Sequence, residues 1–122
     1  MTEAITHLKV PMEEQRLCLG PDGSVAHVSH VLATIGGRWK LPILFRLFAQ
    51  PAWRPSQLLR DIDGISQKML TQHLRDLEAD GLIARHDFGE QPPHVEYTLT
   101  DAGRDLMPAL MAVRDFARRH QS

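Results

Sequence analysis

The spacing of apolar residues changes period at Gly81, and that change restricts the folds open to the chain. Upstream of it, Leu70, Leu74 and Leu77 recur at the i, i+4, i+7 spacing of one helix face. Downstream, Val95, Tyr97 and Leu99 alternate, as strand residues facing one side of a sheet do. Ser66 supplies an N-cap oxygen for a helix running to about Asp80, and Gly81 ends it. Residues 82–88 and 94–99 then read as two strands, joined by Gly89-Glu90-Gln91-Pro92-Pro93. A helix with one polar face, followed directly by a hairpin, is the back half of a winged helix-turn-helix.

The rest of the chain supplies the remaining parts. Val25, Val28, Leu32 and Ile35 lie on one face of a helix that stops at Gly36-Gly37. Residues 39–49 carry apolar side chains round most of a helix, which predicts a buried central element. Pro42 is tolerated there because the first helical turn has no intrahelical use for its N–H. Residues 50–54 read as a connection, and Pro55 opens a short helix with Leu58, Leu59 and Ile62 inward. Thr100 caps a last helix to about His120, which Pro108 is expected to bend. The expected fold is mainly α, in the α+β sense: a winged helix-turn-helix with a two-stranded wing and a C-terminal dimerisation helix. Residues 1–24 are expected to form an N-terminal arm with a short helix, and residues 25–122 the winged-helix domain.

Composition narrows the function. A chain of 122 residues suits one domain, with enough surface buried to make a core without staples. One cysteine excludes an internal disulfide framework and points to a reducing compartment. The N-terminal residues lack the pattern of a secretory signal and no apolar run is long enough to span a membrane, so a cytoplasmic protein is expected. With 14 Lys+Arg against 15 Asp+Glu, the chain is not a basic coat for nucleic acid. The charge is nevertheless segregated. Residues 31–62 hold five cations against Asp61 alone, whereas residues 66–94 hold three cations against five acids.

The helix beginning after Ser66 presents Gln67, Lys68, Thr71, Gln72 and Arg75 on its polar side. Gln67 or Gln72 offers the amide pair that suits adenine; Lys68 and Arg75 suit guanine or phosphate. Ser66 and Thr71 can bond phosphate oxygens at a helix start that already favours anions. The hairpin would bring Arg85, His86 and His94 to the flanking backbone or minor groove. A polar-faced surface helix is more often merely solvated, so this pattern alone leaves two readings. One is a reader of a double-stranded DNA operator; the other is a winged-helix protein-interaction module without DNA binding. Gln and Lys at the exposed helix start favour the first, since a protein-docking surface would more usually offer an apolar patch.

Three stretches resemble a known family. Ile35-Gly36-Gly37-Arg38-Trp39-Lys40, the run from Ile65-Ser66-Gln67-Lys68-Met69-Leu70 through Glu78-Ala79-Asp80-Gly81-Leu82-Ile83, and Pro92-Pro93-His94-Val95-Glu96-Tyr97-Thr98-Leu99-Thr100-Asp101-Ala102-Gly103 are similar to the HxlR-type winged-helix regulators. The resemblance covers about residues 25–119. It implies a bacterial, homodimeric transcriptional regulator that pairs through its N-terminal region and last helix. Two departures stand out. Arg54-Pro55-Ser56-Gln57-Leu58 replaces the family's usual Arg-Phe-Ser-Glu-Leu, which changes a contact made by the Glu. Redox-sensing members carry a Cys before a Pro at the position held here by Ala26, while Cys18 lies eight residues earlier, so the resemblance does not imply the family's thiol switch.

The last helix has its own signal. Leu106, Leu110, Val113 and Ala117 form one stripe, and Met107, Met111 and Phe116 widen it beyond what one neighbouring core covers at a chain terminus. A twofold partner would cover it, giving two recognition helices. The resulting expectation is a homodimeric repressor of a neighbouring operon. Cys18 is a candidate redox residue, although a lone cysteine is more often a small packing side chain. His27 and His30 share a metal-compatible spacing but lack clustered ligands, so neither a metal nor a cofactor is expected. No catalytic constellation has supporting context, and no enzyme is expected. An unknown small-molecule effector between the dimer helices and the core, lined by Trp39, Phe45 or Met107, completes the expectations.

Overall fold

The computed structural model describes residues 12–121, and the first eleven residues of the expected N-terminal arm lie outside them. The described residues form two compact units, one ending at Gly36 and the other beginning at Gly37. The first unit holds α1 (Met12–Leu17) and α2 (Ser24–Ile35). The turn between them is tied by the Val25 N–H donating to the Cys18 carbonyl at 3.1 Å. Val25, Val28 and Leu32, the apolar stripe of α2, are all more than half exposed.

The second unit runs α3 (Lys40–Ala49), α4 (Pro55–Asp61), α5 (Gln67–Ala79), β1 (Ile83–Asp87), β2 (Val95–Leu99) and α6 (Asp101–His120). Its core is built from Ile43 and Leu44 of α3, Leu58 of α4, Leu77 of α5, Ile83 of β1 and Met107 of α6, all essentially inaccessible. α3 packs on β2 and α6, and α4 packs on α5 and β2. α3 is not buried all round: Ile43, Leu44 and Leu47 are, but Phe48 is 48% exposed. The neighbours of α3 cover one side of it, and Phe48 projects where they end.

Local signals fix the ends of α5. The Ser66 hydroxyl accepts from the Met69 N–H at 3.1 Å. At the other end Gly81, at φ +78°, donates to the Glu78 carbonyl while the Leu82 N–H reaches that of Leu77, a Schellman closure that needs a residue in the left-handed region. The Thr100 hydroxyl donates to the Gly81 carbonyl and accepts from the Gly103 N–H, joining the end of α5 to the start of α6. Gly103 lies so close to the Leu82 carbonyl that a side chain there would collide with backbone. α6 continues through Pro108 as one helix.

β1 and β2 pair antiparallel with Ile83 opposite Leu99 and Arg85 opposite Tyr97. The segment expected to be a plain connection contributes to this sheet: Trp53 exchanges backbone hydrogen bonds with Tyr97, at 3.0 and 2.8 Å. Its indole N–H also donates to the Arg46 carbonyl at 2.7 Å. One residue of non-local pairing leaves no periodic trace in a sequence, which is why the pattern missed it.

Candidate nucleic-acid interface

The N-terminal half of α5, the start of α4 and the wing border one open cleft of about 470 Å³. On α5, Leu70, Leu74 and Leu77 are buried while Gln67, Lys68, Thr71, Gln72 and Arg75 are exposed, so the polar set occupies the free face. Among the described residues the side chains of Gln67, Lys68, Thr71 and Arg75 make no hydrogen bond or ion pair, and their donors are available. Gln72 differs: its amide N–H donates to the Asp76 carboxylate at 3.0 Å. Asp76 also lies 4.0 Å from the Lys40 ammonium. That bond uses one of the two Nε2 hydrogens, so a second N–H and Oε1 remain for a base.

The three wing residues are held by the wing itself. Arg85 lies 3.7 Å from Asp87, and the His86 ring bonds the Thr98 hydroxyl at 3.0 Å. His94 is clamped at both nitrogens, Nδ1 to Glu90 at 2.9 Å and Nε2 to Glu96 at 2.7 Å, with the Phe88 ring 4.5 Å away. A ring bonded to a carboxylate at each nitrogen is best satisfied as the imidazolium. The Glu96 and Glu90 hydrogen bonds raise its pKa above the ordinary 6.5, against opposition from desolvation and from the charge of Arg54. Tyr97 is also raised above its usual value, chiefly by burial.

Sequence reasoning missed Arg54, which borders both the cleft and a neighbouring cavity under the wing loop. Arg54 itself is the usual residue there, and the departure falls on its neighbours Pro55 and Gln57. Gln57 accepts the Arg54 backbone N–H through Oε1 at 2.8 Å, so the substituted amide caps the start of α4. Cys18 is half-buried and its sulfur accepts from the Ser24 hydroxyl at 3.0 Å. Trp39 and Met107, named as walls of an effector cavity, are core residues, 7% and 0% exposed. On α6, Leu106 and Leu110 are half-buried and Ala117 is exposed, while Val113 and Phe116 are 62% and 59% exposed. The four-residue step from Val113 to Ala117 leaves an apolar face without cover in this unit.

A polar-faced helix capped at its N-terminal end, with a short helix before it and a wing after it, defines a winged helix-turn-helix DNA-binding regulator. The comparisons agree. The model of the HxlR-like helix-turn-helix family matches residues 34–122, and the chain belongs to that family. An uncharacterized HTH-type transcriptional regulator of Halalkalibacterium halodurans is 38% identical over 93 residues, 76% of this chain and 82% of the relative. A solved regulator from Enterococcus faecalis, assigned to the MarR family, superposes with a TM-score of 0.76 at 39% identity, covering 81% of this chain and 89% of that one. The reduced form of the transcriptional regulator YodB from B. subtilis gives a TM-score of 0.71 at 29% identity, over 77% and 91% of the two chains. The protein is therefore a DNA-binding transcriptional regulator. Among the described residues no helix is long and apolar enough to cross a membrane.

Proposed function

We propose that the chain is a cytoplasmic homodimeric repressor that reads a pseudo-palindromic operator with the N-terminal half of α5 and silences a neighbouring operon. One observation carries the reading: the exposed face of α5 offers Gln67, Lys68, Thr71 and Arg75, whose side chains make no hydrogen bond or ion pair among the described residues. Gln67 and Arg75 read base edges, while Lys68, Thr71 and Ser66 hold phosphates. Gln72 joins them through its remaining amide N–H and Oε1. Arg85, His86 and His94 position the wing against the flanking backbone, His94 by shaping the loop. The DNA-binding domain of this reading begins at residue 25, with the arm before it.

Dimer formation is supported by the apolar surface left on α6 at Val113 and Phe116, flanked by Leu106, Leu110 and Ala117, and separately by the exposed stripe of α2. Contiguous apolar surface of this kind marks an interaction site in a folded protein. Two copies would set half-sites about one helical turn apart, or a small multiple of that. Cys18 serves packing in this reading, and no effector is assigned. The test pairs footprinting of the promoter region with light scattering. A protected, pseudo-palindromic site and a dimer mass, with Phe116→Asp shifting the mass to the monomer and weakening protection, are the expected results. A monomer that protects a single half-site would overturn the dimer.

A further inference from the structure

Arg54 stands out among the cations of the second unit. Arg46 is paired with Asp61 at 2.7 Å, Arg104 with Asp101 at 2.6 Å, Arg85 with Asp87, Arg114 with Asp115, and Arg38 lies over the Trp39 ring. Arg54 is exposed and has no such partner among the described residues, as is also true of Arg60, Lys68 and Arg75; what sets it apart is its place. It borders two adjoining cavities. In the first it faces Ser56 on α4, Gln67 and Thr71 on α5, and Pro93 and Val95 of the wing. In the second it faces Glu90, Pro92 and His94 of the wing loop.

The wing side of this corner supplies no free cation. Pro92 and Pro93 have no backbone N–H to offer. Both nitrogens of His94 are committed to Glu90 and Glu96, and one imidazolium offsets at most one of those two carboxylate charges. Arg54 is close enough for its charge to oppose the proton on His94. The corner therefore has a guanidinium without an ion pair and the Ser56 and Thr71 hydroxyls beside it, and Arg54 also faces the one net negative charge left on the His94 clamp. Such a set fits a doubly oxygenated anion, which a guanidinium fork meets bidentately. The first helix of a helix-turn-helix crosses the nucleic-acid backbone while the second enters the groove, so the anion available at the start of α4 is a phosphodiester.

We propose that Arg54 holds a DNA backbone phosphate in the corner between α4, α5 and the wing, an anchor that fixes how deeply α5 enters the groove. The proposal rests on the reading of α5 as the groove-facing helix. Because the contact is to backbone, it acts on any duplex, and no operator is needed to test it. The probe is a random-sequence duplex of roughly three helical turns, titrated by fluorescence anisotropy from roughly 50 to 200 mM salt with the full chain. Arg54→Ala is expected to lower the slope of log affinity against log salt by about one and to weaken two unrelated duplexes by the same factor. Arg54→Lys keeps the slope, because the charge remains. The Arg54 side chain makes no ion pair among the described residues and only opposes the charge on His94, so the melting curve of Arg54→Ala should not fall below that of wild type.

Lys68→Ala, run in parallel, separates this proposal from the reading beneath it. If Lys68→Ala flattens the slope and Arg54→Ala does not, the Arg54 anchor is wrong and the groove-facing helix stands. If the wild-type chain shows no salt-dependent binding to either duplex, both fall.

Discussion

Gln67, Lys68, Thr71 and Arg75 on α5 keep their donors free, whereas on the wing each charge the sequence singled out is matched within the wing. Arg85 meets Asp87, His86 meets Thr98, and His94 meets Glu90 and Glu96. The two regions lie on either side of one cleft, yet they use polarity for different ends. An exposed ion pair contributes little to stability, typically between nothing and about 1 kcal/mol, so the wing's pairs serve shape more than strength. A donor on α5 has only water to exchange for a base or phosphate, because no internal bond has to break first. The difference assigns α5 to reading and the wing to holding a fixed outline beside it.

The largest effect should come from the free side. Arg75→Ala and Gln67→Ala are each expected to cost about 1–3 kcal/mol of specific affinity, roughly tenfold or more, while binding to random duplex changes far less. Competition titrations on the footprinted site give that ratio directly. Equal losses on both duplexes would move these residues from base reading to backbone contact.

A smaller effect is expected from the wing. Arg85→Ala removes a cation already shared with Asp87, so its loss of affinity should be less than that of Arg75→Ala and nearly the same on every sequence. A sequence-specific loss at Arg85 as large as at Arg75 would erase the distinction between the two regions.

The smallest effect concerns His94 and pH. Its folded pKa is raised above 6.5, so the clamp's contribution is fully present below the unfolded value and is lost as pH rises through the folded one. The melting temperature of wild type should exceed that of His94→Gln at about pH 6, and the gap should close by about pH 9. A gap that widens with pH would show that the ring is neutral in the clamp.

Much of this architecture is written locally. Ser66, Gly81 and Thr100 end or begin helices through bonds to residues at most a few positions away, and the alternation of Val95, Tyr97 and Leu99 announces the second strand. The features that escaped depend on distant partners. Trp53 pairs with Tyr97 far along the chain and Phe48 is exposed because its neighbours stop short of it, whereas the Gln72–Asp76 bond is local and follows the i, i+4 spacing of one helix face. The exposed face of α5 was legible from composition and period. The wing's internal pairing was not, because it depends on how the loop carrying Pro92 and Pro93 folds Glu90 back on His94. Arg54 was unremarkable in sequence and gains its place only when α4, α5 and the wing meet.

The central claim, that the free face of α5 reads DNA, is tested most directly by anisotropy titration of wild type and Arg75→Ala on the footprinted duplex and on a scrambled duplex of equal length. The expected result is a wild-type preference for the footprinted site that collapses in Arg75→Ala, with binding to the scrambled duplex nearly unchanged. An Arg75→Ala protein that keeps the full preference would contradict the claim.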